Sequence, residues 1–383
     1  MSRGLPMPEP FKNWLGEGPI REMAAHLARV ESTFDEPGFV AFAIDGLAGL
    51  ELKERSSRIA DALERFLPAD YRTSTKVLID SLDPVTNATV AEIGEGSNDA
   101  GIAGWPVMPM AEYISNRGQD DVEFSLEVLR DMTTRSSSEF AIRTFLANHT
   151  QTALAALHRW VEDDNEHVRR LVSEGSRPRL PWGMRLNNFV EDPEPVLDLL
   201  ERLKDDPSEY VRRSVANSLN DIAKDHSDIV ADVARRWLGN ASPDRQRLIR
   251  HALRTLIKAG HSGALETLGY GPPKITLLSF AVVTPEVVLG GALKFRFELS
   301  SDIEVEQALM IDYVVHHMRA NGETTPKVFK WKTTTLEGDA STTGTRRHVM
   351  RPITTRRYYP GTHRVELQVN GRILGGAEFV LSM

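Results

Sequence analysis

The amino-acid sequence predicts a mainly α protein, an α-solenoid of two-helix repeats followed by a small all-β immunoglobulin-like sandwich. Three observations carry this. From about Pro19 to Tyr270 apolar residues recur at helical spacing, with short breaks at Gly, Pro, Asp and Asn. Two segments, WVEDDNEHVRRLVSEG (160–175) and LKDDPSEYVRRSVANSLNDIAKDH (203–226), repeat an acidic turn and a helix opening Val-Arg-Arg, with Val168 and Val211 43 residues apart. That is the period of a two-helix unit. Beyond Gly269–Pro273 (GYGPP) the pattern changes to alternation, so the helical domain is placed at 1–270 and the sandwich at 271–383.

Along the chain, IREMAAHLARV (20–30) is an amphipathic helix and FVAFAIDGL (39–47) opens another. SSRIADALERFL (56–67), YRTSTKVLIDSL (71–82), PMAEYISNRG (109–118), VEFSLEVLRDMT (122–133) and SEFAIRTFLANH (138–149) follow, while Pro84–Gly104 reads as a surface loop. In the second repeat Val211, Val215, Leu219 and Ile222 form a core face, and Arg213, Asn217, Asp221 and Lys224 lie along another. The first copy turns Val168, Leu171 and Val172 inward and puts Arg170 and Glu174 where Arg213 and Asn217 stand one repeat on. A third, diverged copy (244–261) sets Leu248, Leu253 and Leu256 inward and Arg250, Arg254 and Lys258 on the stripe. The shared surface is expected to be a basic ridge holding a few carboxylates, which suits a polyanion. In the tail ITLLSFAVVT, ALKFRFELS, QALMIDYVVHHM, KVFKWKTTTL, HRVELQVNG and RILGGAEFVLS alternate, and Asn370-Gly371 marks a two-residue hairpin. Six or seven strands in about 110 residues fit an immunoglobulin-like sandwich, with a small barrel as the alternative.

The chain of 383 residues has no cysteine, which excludes disulfides, thiolate metal sites and a cysteine nucleophile. No apolar run has signal-peptide or membrane-spanning length, so a soluble, cytoplasmic monomer is expected. Net charge is −8, but residues 271–383 hold 14 Lys+Arg against 11 Asp+Glu, with six arginines between Arg346 and Arg364. Phosphate binding depends on which cations reach the backbone and not on the total, so local basic patches remain possible. His149, His167 and His226 have no metal-ligand spacing, and no metal or cofactor is expected.

SSSEFAIRTFL (136–146), HVRRLVSEGSRPRLPW (167–182) and EYVRRSVANSLNDIAKDH (209–226) together resemble the HEAT-like-repeat DNA glycosylases of the AlkC type, in the wider AlkC/AlkD group of alkylation-repair enzymes. The resemblance covers the helical body, and some members of that family carry a C-terminal Ig-like domain like the tail here. It implies excision of N3-methylated bases from double-stranded DNA by hydrolysis of the glycosidic bond. It also implies an acidic triad at Glu139, Glu174 and Asp221 and an active-site tryptophan at Trp182.

The chemistry needs such residues. A base methylated at N3 is already cationic and leaves without acid catalysis, so stabilising an oxocarbenium-like sugar and positioning water remain, and carboxylates do both. An aromatic ring beside a cationic base adds about 0.5–2 kcal/mol. Each residue also has a plain structural reading. Ser136 and Glu139 have capping-box spacing, Asp221 can pair with Lys224, and Trp182 can be a buried anchor. Glu174 precedes a glycine expected to end its helix, where a negative charge opposes the dipole. Arg143 and Arg170 sit one turn from Glu139 and Glu174 and can pair with them or hold phosphate. Arg177 and Arg179, in the loop beside the site, are expected to position phosphates, with Arg213, Arg250, Arg254, Arg346, Arg347 and Arg351 as further DNA contacts. The expected function is a monofunctional alkylbase DNA glycosylase starting base excision repair; the alternative is a non-enzymatic binder of damaged or branched DNA.

Overall fold

Side-chain caps start helices where the sequence places its breaks, as the computed structural model shows for residues 10–84, 96–353 and 356–383. The chain divides into two compact units, Met1–Asp225 and His226–Met383. In the first, a 3-10 turn at Phe11–Leu15 precedes α1 (Glu17–Val30), α2 (Glu36–Ile44), α3 (Leu52–Phe66) and α4 (Tyr71–Asp80). Then come α5 (Val107–Arg117), α6 (Val122–Thr133), α7 (Ile142–Asn148), α8 (Thr150–Trp160), α9 (Glu166–Gly175), α10 (Asn187–Glu191), α11 (Glu194–Leu203) and α12 (Glu209–Ile222). Asp35, Asp70 and Asn165 accept bonds from the first-turn amides of α2, α4 and α9, and Glu51 with Glu54 closes a capping box on α3.

The repeated sequence has a repeated structural job. In both copies the first arginine of Val-Arg-Arg folds back on its own acidic turn: Arg169 donates to the Asp163 and Asp164 carbonyls, and Arg212 to those of Asp206 and Pro207. The acidic turn also clasps the preceding helix pair. Arg130 on α6 donates to Asp163, and Arg169 on α9 donates to Asp206 at 2.7 Å. The second arginine is then left to face elsewhere. Val168, Leu171 and Val172 on α9 and Val211, Val215, Leu219 and Ile222 on α12 are buried, as the periodicity requires.

Of the loop expected at Pro84–Gly104, residues 85–95 lie outside the described residues. Its end is not a surface loop. Ile102 is fully buried and exchanges backbone bonds with Ser81 and Asp83, and a Cβ at Gly101 would come within 2.4 Å of the Leu82 backbone.

The second unit opens with α13 (Ser227–Leu238), α14 (Pro243–Ala252), α15 (Arg254–Ala259) and α16 (Ser262–Thr267). The third repeat copy is split at Leu253 into two short helices; Leu248, Leu253 and Leu256 are buried, as expected. Among the described residues eight strands follow: β1 (Ile275–Val282), β2 (Glu286–Val288), β3 (Ala292–Ser301), β4 (Gln307–Met318), β5 (Thr324–Leu336), β6 (Ser341–Val349), β7 (Gly361–Val369) and β8 (Arg372–Ser382). They form two sheets, β1-β3-β6 and β2-β8-β7-β4-β5, which is a sandwich and not a closed barrel. The β2 and β6 strands lie outside the six alternating runs, since β2 has three residues and β6 consists of Thr, Gly, Ser, Arg, His and Val with no apolar face. In place of a disulfide, Trp331 packs edge-on to Phe295 and Phe297 at 5.4 and 4.9 Å.

The β7–β8 hairpin turns through Asn370 and Gly371, both at positive φ (45° and 79°), the left-handed pair that a type I′ turn needs. A Cβ at Gly371 would also lie 2.7 Å from Gly260 Cα. Gly371→Ala is therefore expected to destabilise this unit by about 1–3 kcal/mol, read as a lower urea midpoint, whereas Gly290→Ala, left-handed with open space around it, should cost less.

Candidate active site

Helices α9 and α12 pack against each other, and the turn before α7 and the loop after α9 complete a cavity of about 440 Å³. Glu139, Arg170, Glu174, Arg177, Tyr210, Trp105 and Trp182 line it. Around it the charges alternate in one ladder. Arg170 Nη1 donates to Glu139 Oε2 at 2.8 Å and its Nη2 lies 3.6 Å from Glu174 Oε1. Arg177 donates to Glu174 Oε1 at 2.6 Å and to Asp221 Oδ2 at 2.6 and 2.7 Å, and Lys224 closes the chain on Asp221 Oδ1 at 2.8 Å.

The three acids are thus brought into one network but differ in environment. Asp221 is 2% exposed, has both oxygens engaged, and stands behind Arg177 away from the cavity wall. Glu174 also has both oxygens engaged, since the Ser214 hydroxyl donates to Oε2 at 2.7 Å. Burial opposes its charge, yet Arg170, Arg177 and the Ser214 hydroxyl together hold the Glu174 carboxyl below its ordinary value of 4.5. Glu139 binds Ser137 and Arg170 through Oε2 alone. Among the described residues nothing bonds its Oε1. Glu139 lies ahead of α7 and forms no capping box, because the helix begins only at Ile142. Helix α9 ends at Gly175, where a Cβ would lie 2.7 Å from Ile142; close packing, and not a left-handed cap, accounts for that glycine.

Several arginines expected on phosphate are placed otherwise. Arg143 is fully buried, donating from Nε to the Met184 carbonyl (2.6 Å) and from Nη1 to that of Gly175 (2.8 Å). It cannot reach a phosphate. Burial, then the nearby Arg177, pull its pKa down to about 10. Arg177 is buried between Glu174 and Asp221, Arg170 is locked between Glu139 and the same Glu174, and Arg179 pairs with Asp225. The expected basic ridge is here an ion-paired wall. Arg213, on α12, is exposed. In the second unit Arg250, Arg347 and Arg351 are exposed; Arg254 folds back on the His251 carbonyl, and Arg346 is half-buried over the Tyr313 ring.

Trp182 is no buried anchor. It is 63% exposed, with a left-handed φ of 63° that costs a non-glycine residue about 1–3 kcal/mol. Lys53 donates to its carbonyl at 3.0 Å, and Arg143 pins the same loop two residues on. The sequence reading missed Tyr210, whose ring lies 4.9 Å from the Arg170 guanidinium carbon, and also Ser214, Lys53, Trp105 and Phe11. Tyr210 had a signal. It takes the place before Val-Arg-Arg that His167 takes in the first copy, and the two rings pack edge to face at 5.7 Å, with His167 buried.

Glu174→Gln leaves Arg170 and Arg177 with half their counter-charge and is expected to cost about 3–5 kcal/mol of stability. A depressed folded pKa contributes stability above the unfolded value and loses it as pH falls through the folded one. The difference between wild type and variant, from urea unfolding, should therefore be constant above about pH 5 and shrink below the ordinary 4.5.

Comparison with known proteins places the whole chain. Residues 114–256 match the family described as DNA alkylation repair enzyme, and residues 276–383 match the C-terminal Ig-like domain of the uncharacterised protein YhaZ. The chain is 34% identical over 371 residues to the uncharacterized protein YhaZ of Bacillus subtilis (strain 168), covering 96% of this chain and 98% of that one. The solved structure of Pseudomonas fluorescens alkylpurine DNA glycosylase AlkC, bound to DNA containing an abasic site analog, superposes with a TM-score of 0.84 at 36% identity, over 98% of this chain and 100% of that one. With likeness of that extent in both sequence and fold, the chain belongs to the AlkC-type family of DNA alkylation repair enzymes.

Proposed function

We propose that the protein is a DNA glycosylase that releases cationic N3-methylated bases, 3-methyladenine and 3-methylcytosine, from double-stranded DNA by hydrolysis, starting base excision repair. The observation that carries this is Glu139 Oε1, the one oxygen of the three acids with no partner among the described residues, on the wall of a cavity beside an exposed tryptophan. When the glycosidic bond breaks, its electron pair neutralises the departing base and the sugar becomes oxocarbenium-like. Water adds at the anomeric carbon and gives its proton to Glu139. Glu174 holds negative potential beneath the sugar without reorganising, and Asp221 positions Arg177. Among the described residues no lysine lines the cavity, which favours water over an amine as nucleophile. The helical repeats, read as HEAT-like and ending near residue 270, would do the chemistry, while the sandwich from 271 grips the duplex.

Glu139→Gln should lower the single-turnover release of 3-methyladenine roughly 100-fold or more while leaving affinity for abasic-site duplex within a few-fold. An unchanged rate would refute the assignment, and release of neutral O6-methylguanine at a comparable rate would refute the leaving-group argument. Arg347→Ala with Arg351→Ala, both exposed, should reduce the magnitude of the log–log salt slope of duplex binding by about 0.9 for each phosphate no longer neutralised, with no change in the rate of bond cleavage once bound.

A further inference from the structure

The cavity presents an electrostatic problem for a cationic ligand. Its charged lining comprises Glu139 and Glu174 against Arg170 and Arg177, so the wall is neutral overall. Preference for a positive base over its neutral parent needs another source. The Phe11 ring lies 5.7 Å from that of Trp105 and 6.5 Å from that of Trp182, both of which line the cavity. Phe11 is 56% exposed and Trp182 63%, unusual for rings that gain so much from burial. Neither exposure is that of a loose segment. Arg55, itself buried, donates to the Lys12 carbonyl at 2.8 Å, Lys12 pairs with Glu51, and Leu15 is buried, so the turn carrying Phe11 is pinned to α3. Lys53, on the same helix, pins Trp182.

We propose that Phe11 and Trp105 complete with Trp182 an aromatic face that recognises the positive charge of the methylated base. Ring faces carry negative quadrupole density, and they attract a cation without adding a charge that Arg170 or Arg177 would compensate. Phe11 and Trp105 are thereby specificity-determining residues. The inference rests on the cavity being the site that receives the alkylated nucleotide, and it concerns binding, not bond cleavage.

The test uses the full chain and two duplexes that differ only at one nucleotide, 2′-fluoro-3-methylcytosine or 2′-fluorocytosine, the fluorine suppressing the oxocarbenium so that binding is read without cleavage. Fluorescence anisotropy should show preference for the methylated duplex. Phe11→Ala should reduce that preference roughly 3- to 10-fold, as for a ring facing a cation, with affinity for the unmodified duplex unchanged. Phe11→Tyr should keep it. Trp105→Leu should act in the same direction; if it fails to fold, the exposed Phe11 decides alone. No preference in the wild type, or a preference untouched by Phe11→Ala, overturns the proposal. A Phe11-dependent preference in a protein that releases no base would uphold it and reject the hydrolytic reading instead.

Discussion

The charge ladder from Glu139 through Arg170, Glu174, Arg177 and Asp221 to Lys224 is the interaction that holds the site in shape. Taking an ion out of water costs several kcal/mol, so each buried member is tolerable only because its neighbours carry the opposite sign. The ladder joins the turn before α7, helix α9, the loop after it and helix α12. Those four pieces are held in one geometry by charges that cannot be left alone, which makes the cavity wall stiff and its dipoles preorganised. Such groups stabilise a developing cation without having to reorient when it forms.

The same alternation divides labour among the acids. A carboxylate whose lone pairs are taken by two guanidinium groups and a hydroxyl contributes potential and remains ionised, as Glu174 does. A carboxylate with one oxygen tied and one open can receive a proton, and of the three acids Glu139 alone has that form. Arg143 serves at one remove. Hidden beneath the wall, it holds the carbonyls of Gly175 and Met184, and so fixes the span of loop in which Trp182 is kept exposed and left-handed. Backbone strain at that tryptophan is stored against two anchors, Arg143 and Lys53.

Repetition explains how such a wall arises from ordinary helical sequence. In each copy one arginine of the Val-Arg-Arg start closes its own acidic turn while the turn's aspartate grips the previous helix pair. Stacking is thereby settled by local pairs, and the next arginine along the helix is released for another use. In the first copy Arg170 enters the ladder and Tyr210 of the second copy stacks on it; in the second copy Arg213 stays in solvent. Equivalent positions diverge in role because their surroundings, and not their own helices, differ.

The helical body, the strand-rich tail, the hairpin at Asn370-Gly371, the inward faces of α9 and α12, and the acids and tryptophan of the candidate site are all legible in the amino-acid order. Apolar periodicity, turn chemistry and motif resemblance are written along one dimension, and burial of an apolar stripe needs no particular partner. Who pairs with whom is settled instead by how the helices come together. Arg170 meets Glu139 across 31 residues of chain, Arg177 meets Asp221 across 44, and Arg143 meets Met184 across 41. No local pattern distinguishes an arginine that will be walled in by carboxylates from one that will face solvent, so arginines expected on phosphate became rungs and anchors. Phe11 joined Trp182 across still more of the chain, for the same reason: ring contacts and ion pairs are set by where folded elements meet in space, which helical spacing does not encode.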